Sequence, residues 1–182
     1  MNIFVGCSSR DVTDNVKWSR YCTATLEVTK FITAHKHTLV FGGCARGLMG
    51  LMYKCILLNK ANIIVAIPQA INDAEELFYS NLFDFNTVSE RKDWIFKNTS
   101  MHIFLPGGIG TIDELFSSIE AKRCGEHNSP IIIINEQGYF NDVLHVLARV
   151  YDEGFADEKD AKLYTVVNST DEIVSTLEKS LS

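Results

Sequence analysis

Apolar residues in this sequence fall into short runs that alternate with longer segments of mixed polarity. The runs show little internal alternation with polar residues, which is typical of strands covered on both faces. The segments between them repeat apolar residues at helical spacing. This succession predicts a parallel sheet with helices on both sides. Strands are expected at residues 2–5, 38–41, 62–67, 84–88, 101–105, 130–135 and 164–167.

The predicted fold class is therefore α/β, a Rossmann-like doubly wound parallel sheet in three layers. The length of 182 residues fits one domain, which we expect to span residues 1–182. In such sheets a ligand binds beyond the carboxyl ends of the strands, at the point where the strand order reverses. The function is therefore expected to reside in the loops that follow the strands.

For two of the predicted helices, the sequence indicates the bounds and the buried residues. The first is expected over about residues 14–35, with Asp14 or Thr13 as its cap. The second, over about residues 48–58, is apolar almost all round, which indicates either deep burial or a subunit interface. The buried stripe of the first helix is expected to comprise Val16, Tyr21, Leu26, Phe31 and Ile32.

Helical periodicity is lost between residues 69 and 82, where we expect a loop with one short helix. Ser89 is then expected to cap a helix whose first turn carries Arg91 and Lys92. Because cations at a helix N-terminus oppose the helix dipole, this placement indicates that Arg91 or Lys92 binds a ligand anion, with a chance surface position as the alternative. The loop also contains an acidic cluster, interpreted as a solvated surface, of Asp73, Glu75 and Glu76.

The most informative stretch is residues 106–114, PGGIGTIDE, where a strand passes into a helix. Glycines allow the backbone to turn sharply and to approach a ligand. The helix directs N–H groups and a partial positive charge at the loop, which is typical of phosphate sites. Glu114 lies one turn into this helix. Because binding a phosphate requires no carboxylate, Glu114 indicates chemistry or sugar recognition beside the anion.

Two further glycine-containing loops follow the first two strands, at residues 6–10 and 42–50. Neither loop contains a dinucleotide fingerprint or a P-loop. Because the carboxyl ends of parallel strands share one edge, these loops and residues 106–114 are expected to line a single crevice. The candidate binding residues in the three loops are Ser8, Gly43, Gly107, Gly108, Gly110 and Thr111.

Composition and charge narrow the function further. A formal charge of −6, a pI near 5.3 and 46% hydrophobic residues are ordinary for a cytoplasmic protein and argue against a nucleic-acid binder. The sequence shows no signal peptide and no apolar run of the ~18 residues that span a membrane. The five cysteines are expected to be reduced thiols, and Cys7 and Cys44 in the ligand loops to be small fillers rather than reactive groups.

The histidines lack the paired spacing of metal ligands, so no metal or other cofactor is expected. His102 lies within a predicted strand and is interpreted as a core histidine with its hydrogen bonds satisfied. The sequence also lacks the GxSxG elbow of a serine hydrolase. The candidate chemistry is therefore concentrated in the glycine loops, Arg91 and Glu114.

On these motifs, the chain resembles the LONELY GUY (LOG) family over nearly its whole length. Residues 106–114 match the family's PGGxGTxxE motif in full, and residues 90–92 match its charged triplet. Residues 42–50 are similar to its GGGxxGLMG block, with Cys44 in place of the third glycine. Residues 6–9 are similar to its CGSS loop.

The resemblance implies a cytokinin riboside 5′-monophosphate phosphoribohydrolase, an enzyme of cytokinin biosynthesis that releases a free base and ribose 5-phosphate. It implies that Arg91 and Glu114 are catalytic and that Lys92 and the loop residues bind the nucleotide. It also implies a homodimer or higher homo-oligomer with the active site near the interface. Such proteins are often labelled lysine decarboxylases, but the sequence has no recognisable pyridoxal-phosphate lysine site.

Two alternatives to a hydrolase remain open. One is a protein that binds a nucleotide or the molybdenum cofactor in the same crevice without hydrolysis, which would release no free base. The other is an oligomeric scaffold whose glycines only turn the chain, which would show no thermal shift with nucleotides. The chain departs from the family pattern at positions linked to recognition of the base, namely Ala70, Ser89 and Glu120.

Overall fold

The computed structural model of the protein describes residues 1–70 and 77–181. Asp73, Glu75 and Glu76 lie outside the described residues, as does part of the loop expected at residues 69–82. The strands are β1 (Asn2–Gly6), β2 (Thr38–Phe41), β3 (Ile63–Pro68), β4 (Asn81–Phe85), β5 (Met101–Phe104), β6 (Ile131–Ile134) and β7 (Tyr164–Val167). The α-helices are α1 (Asn15–Ala34), α2 (Gly47–Leu58), α3 (Val88–Asn98), α4 (Ile109–Arg123), α5 (Asn141–Asp152) and α6 (Ile173–Lys179).

These strands form one parallel sheet with the order β4–β3–β2–β1–β5–β6–β7. The chain builds outward from β1 through β2 and β3 to β4, and then places β5 against the other side of β1. The strand order therefore reverses between β1 and β5, which is the switch point of a doubly wound sheet. The predicted α/β class is confirmed.

Two core clusters lie on opposite faces of the sheet. Successive side chains of a strand point to opposite faces, so one strand contributes to both clusters. Ile3 and Val5 belong to a core cluster that includes Phe31 of α1. Phe4, which lies between them, belongs to a second cluster that includes Leu115 of α4. The strands therefore read as continuous apolar runs, and helices cover the sheet on both sides.

The strand expected at residues 84–88 begins earlier, at Asn81, and ends at Phe85. As the edge strand it is mostly exposed, so its sequence is less apolar than that of the inner strands. The cap of α3 is Thr87 rather than Ser89, because the Thr87 hydroxyl accepts a hydrogen bond from Glu90 N while Glu90 Oε2 accepts one from Thr87 N. This reciprocal capping box fixes the start of α3 and so the position of Arg91.

Asp14 caps α1 as predicted, since its Oδ1 accepts hydrogen bonds from two backbone N–H groups. The predicted buried stripe is wrong at Val16 and Leu26, which are 73% and 37% exposed. Buried threonines belong to the stripe because their hydroxyls donate to carbonyls one turn back along the helix, as Thr25 does to Tyr21 at 2.8 Å. The stripe consists of Tyr21, Ala24, Thr25, Val28, Thr29, Phe31 and Ile32.

Helix α2 is buried on one side only. Leu48, Met52 and Ile56 lie in the core, whereas Leu58 is 81% exposed. Of the two expectations for this helix, deep burial on all sides is therefore wrong, and a role in a subunit interface stays a prediction.

His102 of β5 is fully buried, as expected for a core histidine. Its Nδ1 lies 2.7 Å from the Ser118 hydroxyl, but Nε2 is buried without a hydrogen-bond partner, so the ring is only half satisfied. Burial, followed by the nearby His127 and Lys122, lowers the pKa of His102 from 6.5 to about 3.

We expect His102 to make the fold sensitive to acid. Its pKa falls on folding, so the unfolded chain binds a proton that the folded chain excludes, and stability is lost as the pH drops from 6.5 towards 3. Between pH 7 and pH 5 this loss is about 2 kcal/mol. Urea unfolding at the two pH values should show a smaller difference for His102→Gln than for the wild type. The exposed His145→Gln is the control, and an equal effect in both variants would contradict the assignment.

Candidate active site

The loops after β1, β2 and β5 meet at the switch point and are joined through the backbone of Ser8. Ser8 N donates to Pro106 O at 3.0 Å, and Ser8 O accepts from Met49 N at 3.1 Å. Gly47 has a φ of 62°, and a Cβ there would lie 2.5 Å from Arg10 N. Only glycine therefore allows the β1 and β2 loops to touch at this point.

A buried ion pair lies beneath these loops. Arg91 Nη1 of α3 donates to Glu114 Oε1 of α4 at 2.5 Å, and each residue is 6% exposed. Arg91 Nε donates to Ala66 O, within β3, at 2.6 Å. The guanidinium is thus held by a strand carbonyl on one side and by a carboxylate on the other, which fixes its plane.

Two glycines at strand ends form the walls around this pair. A Cβ at Gly6 would lie 3.0 Å from Glu114 Oε2, and a Cβ at Gly42 would lie 3.3 Å from Arg91 Nη2. A side chain at either position would press on the charged groups. The ion pair therefore occupies space that exists because β1 ends in a glycine and a glycine directly follows β2.

Burial raises the pKa of Glu114 above its ordinary value, against the charge and hydrogen bond of Arg91, which lower it. The neighbouring Asp113 adds to the rise, and Lys92 opposes it. The protonation of Glu114 therefore depends on the balance between its burial and the cations beside it, of which Arg91 has the larger effect. A raised carboxyl pKa beside a crevice is typical of groups that act in acid–base or electrostatic catalysis.

Lys92 pairs with α4 and not with the glycine loops. Its Nζ donates to Asp113 Oδ2 at 2.8 Å, to Asp113 Oδ1 at 2.9 Å and to Ser117 Oγ at 2.9 Å. Two consecutive residues of α3 thus pair with two consecutive residues of α4, one pair buried and the other nearer to solvent. The predicted contact of Lys92 with a nucleotide would require it to leave these partners.

The loop after β5 has the form of an anion site. Helix α4 begins at Ile109 with Gly108 as its cap, and glycine has no side chain that could bond to the N–H groups of the first turn. A Cβ at Gly108 or Gly110 would meet no atom within 4 Å, so the backbone faces open space. A Cβ at Gly107 would lie 2.1 Å from Thr111 Oγ1, so this hydroxyl packs directly on the loop.

The remaining predicted binding residues shape the loops. The Ser8 hydroxyl donates to Arg10 O at 2.6 Å and accepts from Arg10 N at 3.0 Å, which closes a turn within its own loop. Gly43 is buried and has a φ of 75°. Both residues therefore shape the loops at this edge of the sheet, and their contact with a ligand stays a prediction.

The two cysteines of these loops are buried, as expected for fillers. Cys7 is 2% exposed and Cys44 is 6% exposed. Burial, and then the charge of Glu114, raises the pKa of the Cys7 thiol well above its ordinary range. Cys7 is therefore held as a neutral thiol, which is a poor nucleophile.

The comparisons with known proteins agree with the motifs of this crevice. A family model described as "Possible lysine decarboxylase" matches residues 49–177. A relative from Oryza sativa subsp. japonica, named as a probable cytokinin riboside 5′-monophosphate phosphoribohydrolase LOG, is 31% identical over 160 residues, covering 86% of this chain and 69% of the relative. The chain belongs to the LOG family. A LOG phosphoribohydrolase from Arabidopsis thaliana is 28% identical over 178 residues, covering 97% of this chain and 75% of the relative.

Solved structures share the fold of this LOG chain. A molybdenum cofactor carrier protein from Chlamydomonas reinhardtii has a TM-score of 0.66 at 19% identity, covering 99% of this chain and 96% of that one. A molybdenum cofactor binding protein from Rippkaea orientalis also has a TM-score of 0.66, at 13% identity, covering 100% of this chain and 97% of that one. At these identities the likeness concerns the fold alone.

Two departures from the LOG pattern lie together. Ser89 and Glu120 both line a cavity of about 440 Å³ between α3 and α4, together with Lys92. Ala70 lies elsewhere, in the exposed turn after β3. A larger cavity of about 680 Å³ lies between α4 and α5, and neither Arg91 nor Glu114 lines either one.

Four residues contribute to the site in ways that were not predicted from the sequence. Gly6 and Gly42 make room for the ion pair, and the only trace of this in the sequence is a glycine at the end of each strand. Ala66 contributes its carbonyl, and Tyr139 donates a hydrogen bond from its hydroxyl to Gly107 O. Contacts to backbone atoms leave no pattern of side chains, so the contacts made through Ala66 and by Tyr139 could not have been predicted from residue types.

Across residues 1–70 and 77–181, no group of three or more histidine, cysteine, aspartate and glutamate side chains is placed to hold a metal ion. In the same part of the chain, no helix has both the length and the apolar character needed to cross a membrane.

Substituting the glycine that faces Glu114 should disturb the ion pair. We expect Gly6→Ala to destabilise the protein by about 1–3 kcal/mol, because the new Cβ would lie 3.0 Å from both Glu114 Oε2 and Phe104 Cδ1. Gly110→Ala, in open space within α4, should be neutral or stabilise by up to about 1 kcal/mol. Thermal unfolding measures both, and equal melting temperatures for the two variants would contradict this packing.

Proposed function

We propose that this protein hydrolyses the N-glycosidic bond of adenine-type nucleoside 5′-monophosphates. The substrates would be a cytokinin riboside 5′-monophosphate or AMP, and the products a free base and ribose 5-phosphate. The observation that carries the proposal is the buried Arg91–Glu114 pair at the switch point, directly beside the N-terminus of α4. Relatives in the LOG family that are named as phosphoribohydrolases support this activity.

The substrate phosphate would bind at the start of α4. Unpaired N–H groups of the first helical turn and the helix dipole favour an anion there. The open space beside Gly108 and Gly110 lets the phosphate oxygens approach the backbone. This position sets the ribose close to Glu114, one helical turn further along.

Departure of the base leaves positive charge on the ribose, as in the oxocarbenium-like transition state of glycosidases. Glu114 would stabilise that charge, hold ribose hydroxyls and orient the attacking water. Arg91 would steady the phosphate or the departing base and hold the carboxylate in place. Because the pair is buried, its field acts with little screening by solvent.

We also propose that the protein acts in the cytoplasm as a homodimer or higher homo-oligomer with the active site near the interface. All five cysteines are free thiols, as is usual in reducing compartments. Apolar side chains stand exposed around α4 and α5, among them Phe116, Val146 and Phe155. Light scattering coupled to size-exclusion chromatography measures the assembly, and a purely monomeric protein would contradict it.

The alternative is a carrier that binds a nucleotide or the molybdenum cofactor without hydrolysis. Two solved structures with the same fold are named as molybdenum cofactor proteins, which supports considering this alternative. A chromatographic assay of free base over a panel of nucleoside 5′-monophosphates separates the two functions. Release of base supports the hydrolase, whereas tight binding by calorimetry with no release would support the carrier.

Glu114→Gln and Arg91→Ala should each lower the turnover of a nucleoside monophosphate by ~10²–10³-fold, because each removes one preorganised charge. Glu114→Gln keeps the size of the side chain, so the fold should persist. Arg91→Ala should also lower the melting temperature, since it leaves a buried carboxyl without its cation. The controls are Arg149→Ala and Glu153→Gln, which disrupt an exposed ion pair of 2.6 Å at the end of α5. Full activity in Glu114→Gln would refute the proposed role.

A further inference from the structure

The Tyr139 hydroxyl donates a hydrogen bond to the carbonyl oxygen of Gly107, in the loop that begins the anion site. The two residues are 32 positions apart in sequence. Tyr139 follows the 3-10 turn Glu136–Gly138 directly after β6, so it lies at the same edge of the sheet as the loop after β5. The residue is 37% exposed, so it lies at the protein surface beside this loop.

The backbone that carries Tyr139 is held firmly. Gln137 and Gly138 take left-handed conformations in succession, with φ of 57° and 68°. Asn135 fixes this turn from below, because its Oδ1 accepts from Phe140 N at 2.7 Å and its Nδ2 donates to Asn141 Oδ1 at 2.9 Å. These bonds leave little freedom in the backbone position of Tyr139.

The ring of Tyr139 is held as well. It makes an edge contact with the buried Tyr21 at 5.9 Å between centroids and another with Phe140 at 5.0 Å. Both contacts have the T-shaped geometry that aromatic rings prefer. The hydroxyl is therefore presented to Gly107 by a fixed backbone and a fixed ring.

This hydrogen bond sets the direction of a second group. The carbonyl of Gly107 and the N–H of Gly108 belong to one peptide unit, which is planar and trans, so they point in opposite directions. Neither glycine has a Cβ that would oppose rotation of this unit. Holding the carbonyl towards Tyr139 thus aims the Gly108 N–H away from Tyr139.

We propose that Tyr139 is a positioning residue that keeps the Gly108 N–H directed at a bound phosphate monoester. The inference deepens the proposed function and rests on its placement of the phosphate at the start of α4. Without the hydroxyl, the Gly107–Gly108 peptide can rotate and turn its carbonyl oxygen towards the anion, which repels it. Loss of one such donor corresponds to about a 5- to 10-fold weaker affinity for phosphate ligands.

Calorimetry with ribose 5-phosphate and with inorganic phosphate tests this role without any glycosidic bond. Tyr139→Phe keeps the ring and should raise Kd for both ligands by the same factor, about 5- to 10-fold. The control is Tyr151→Phe, which removes another half-buried hydroxyl that donates to a backbone carbonyl, that of Asp160 at 3.5 Å. Wild-type Kd values in Tyr139→Phe, or an equal loss in Tyr151→Phe, would overturn the proposal.

A measurement on the wild-type protein tests the proposal even if Tyr139→Phe fails to fold. The chain has 11 glycines, so selective 15N-glycine labelling gives a small set of amide signals. Inorganic phosphate should shift the Gly108 signal strongly in the wild type and weakly in Tyr139→Phe. An unmoved Gly108 signal in the wild type would overturn the proposal by itself. If phosphate binding depends on Tyr139 but no base is ever released, this inference stands while the hydrolase proposal fails.

Discussion

The buried contact between Arg91 and Glu114 is the constraint on which the rest of the site depends. Two charges removed from water are tolerated only when they are paired and hydrogen-bonded. Here the carboxylate, the carbonyl of Ala66 and the glycine walls at Gly6 and Gly42 meet that need. The pair also links α3 to α4, so the position of the glycine loop and the position of the cation are set together.

The topology explains why this pair lies at the switch point of the sheet. The strand order reverses between β1 and β5, and the loops after these two strands are joined by the hydrogen bond from Ser8 N to Pro106 O. Helix α4 starts directly after the second of these loops, and Glu114 follows one turn later. A helix N-terminus, a carboxyl group of raised pKa and a fixed guanidinium thus lie together, and this is the combination on which the proposed stabilisation of a charged sugar beside its phosphate depends.

Much of this could be predicted from the order of residues, because it depends on local chemistry. Apolar runs that alternate with helical segments predict the parallel sheet, and glycines at strand ends indicate the loops and the edge they share. Arg91 stood out as a cation in the first turn of a helix, where the dipole opposes it. Residues 106–114 and 90–92 also carried the resemblance to the LOG family, which the comparisons support over most of the chain.

The sequence by itself thus determined the fold class, the family and the loops that hold the site, since each depends on patterns within a few residues. Only the tertiary structure decided which groups face one another. Lys92 is engaged by Asp113, and Tyr139 holds a carbonyl of Gly107, across 21 and 32 residues of chain. Such contacts form between a side chain and whatever the fold brings beside it, often a backbone atom that every residue possesses, so no pattern of residue types records them.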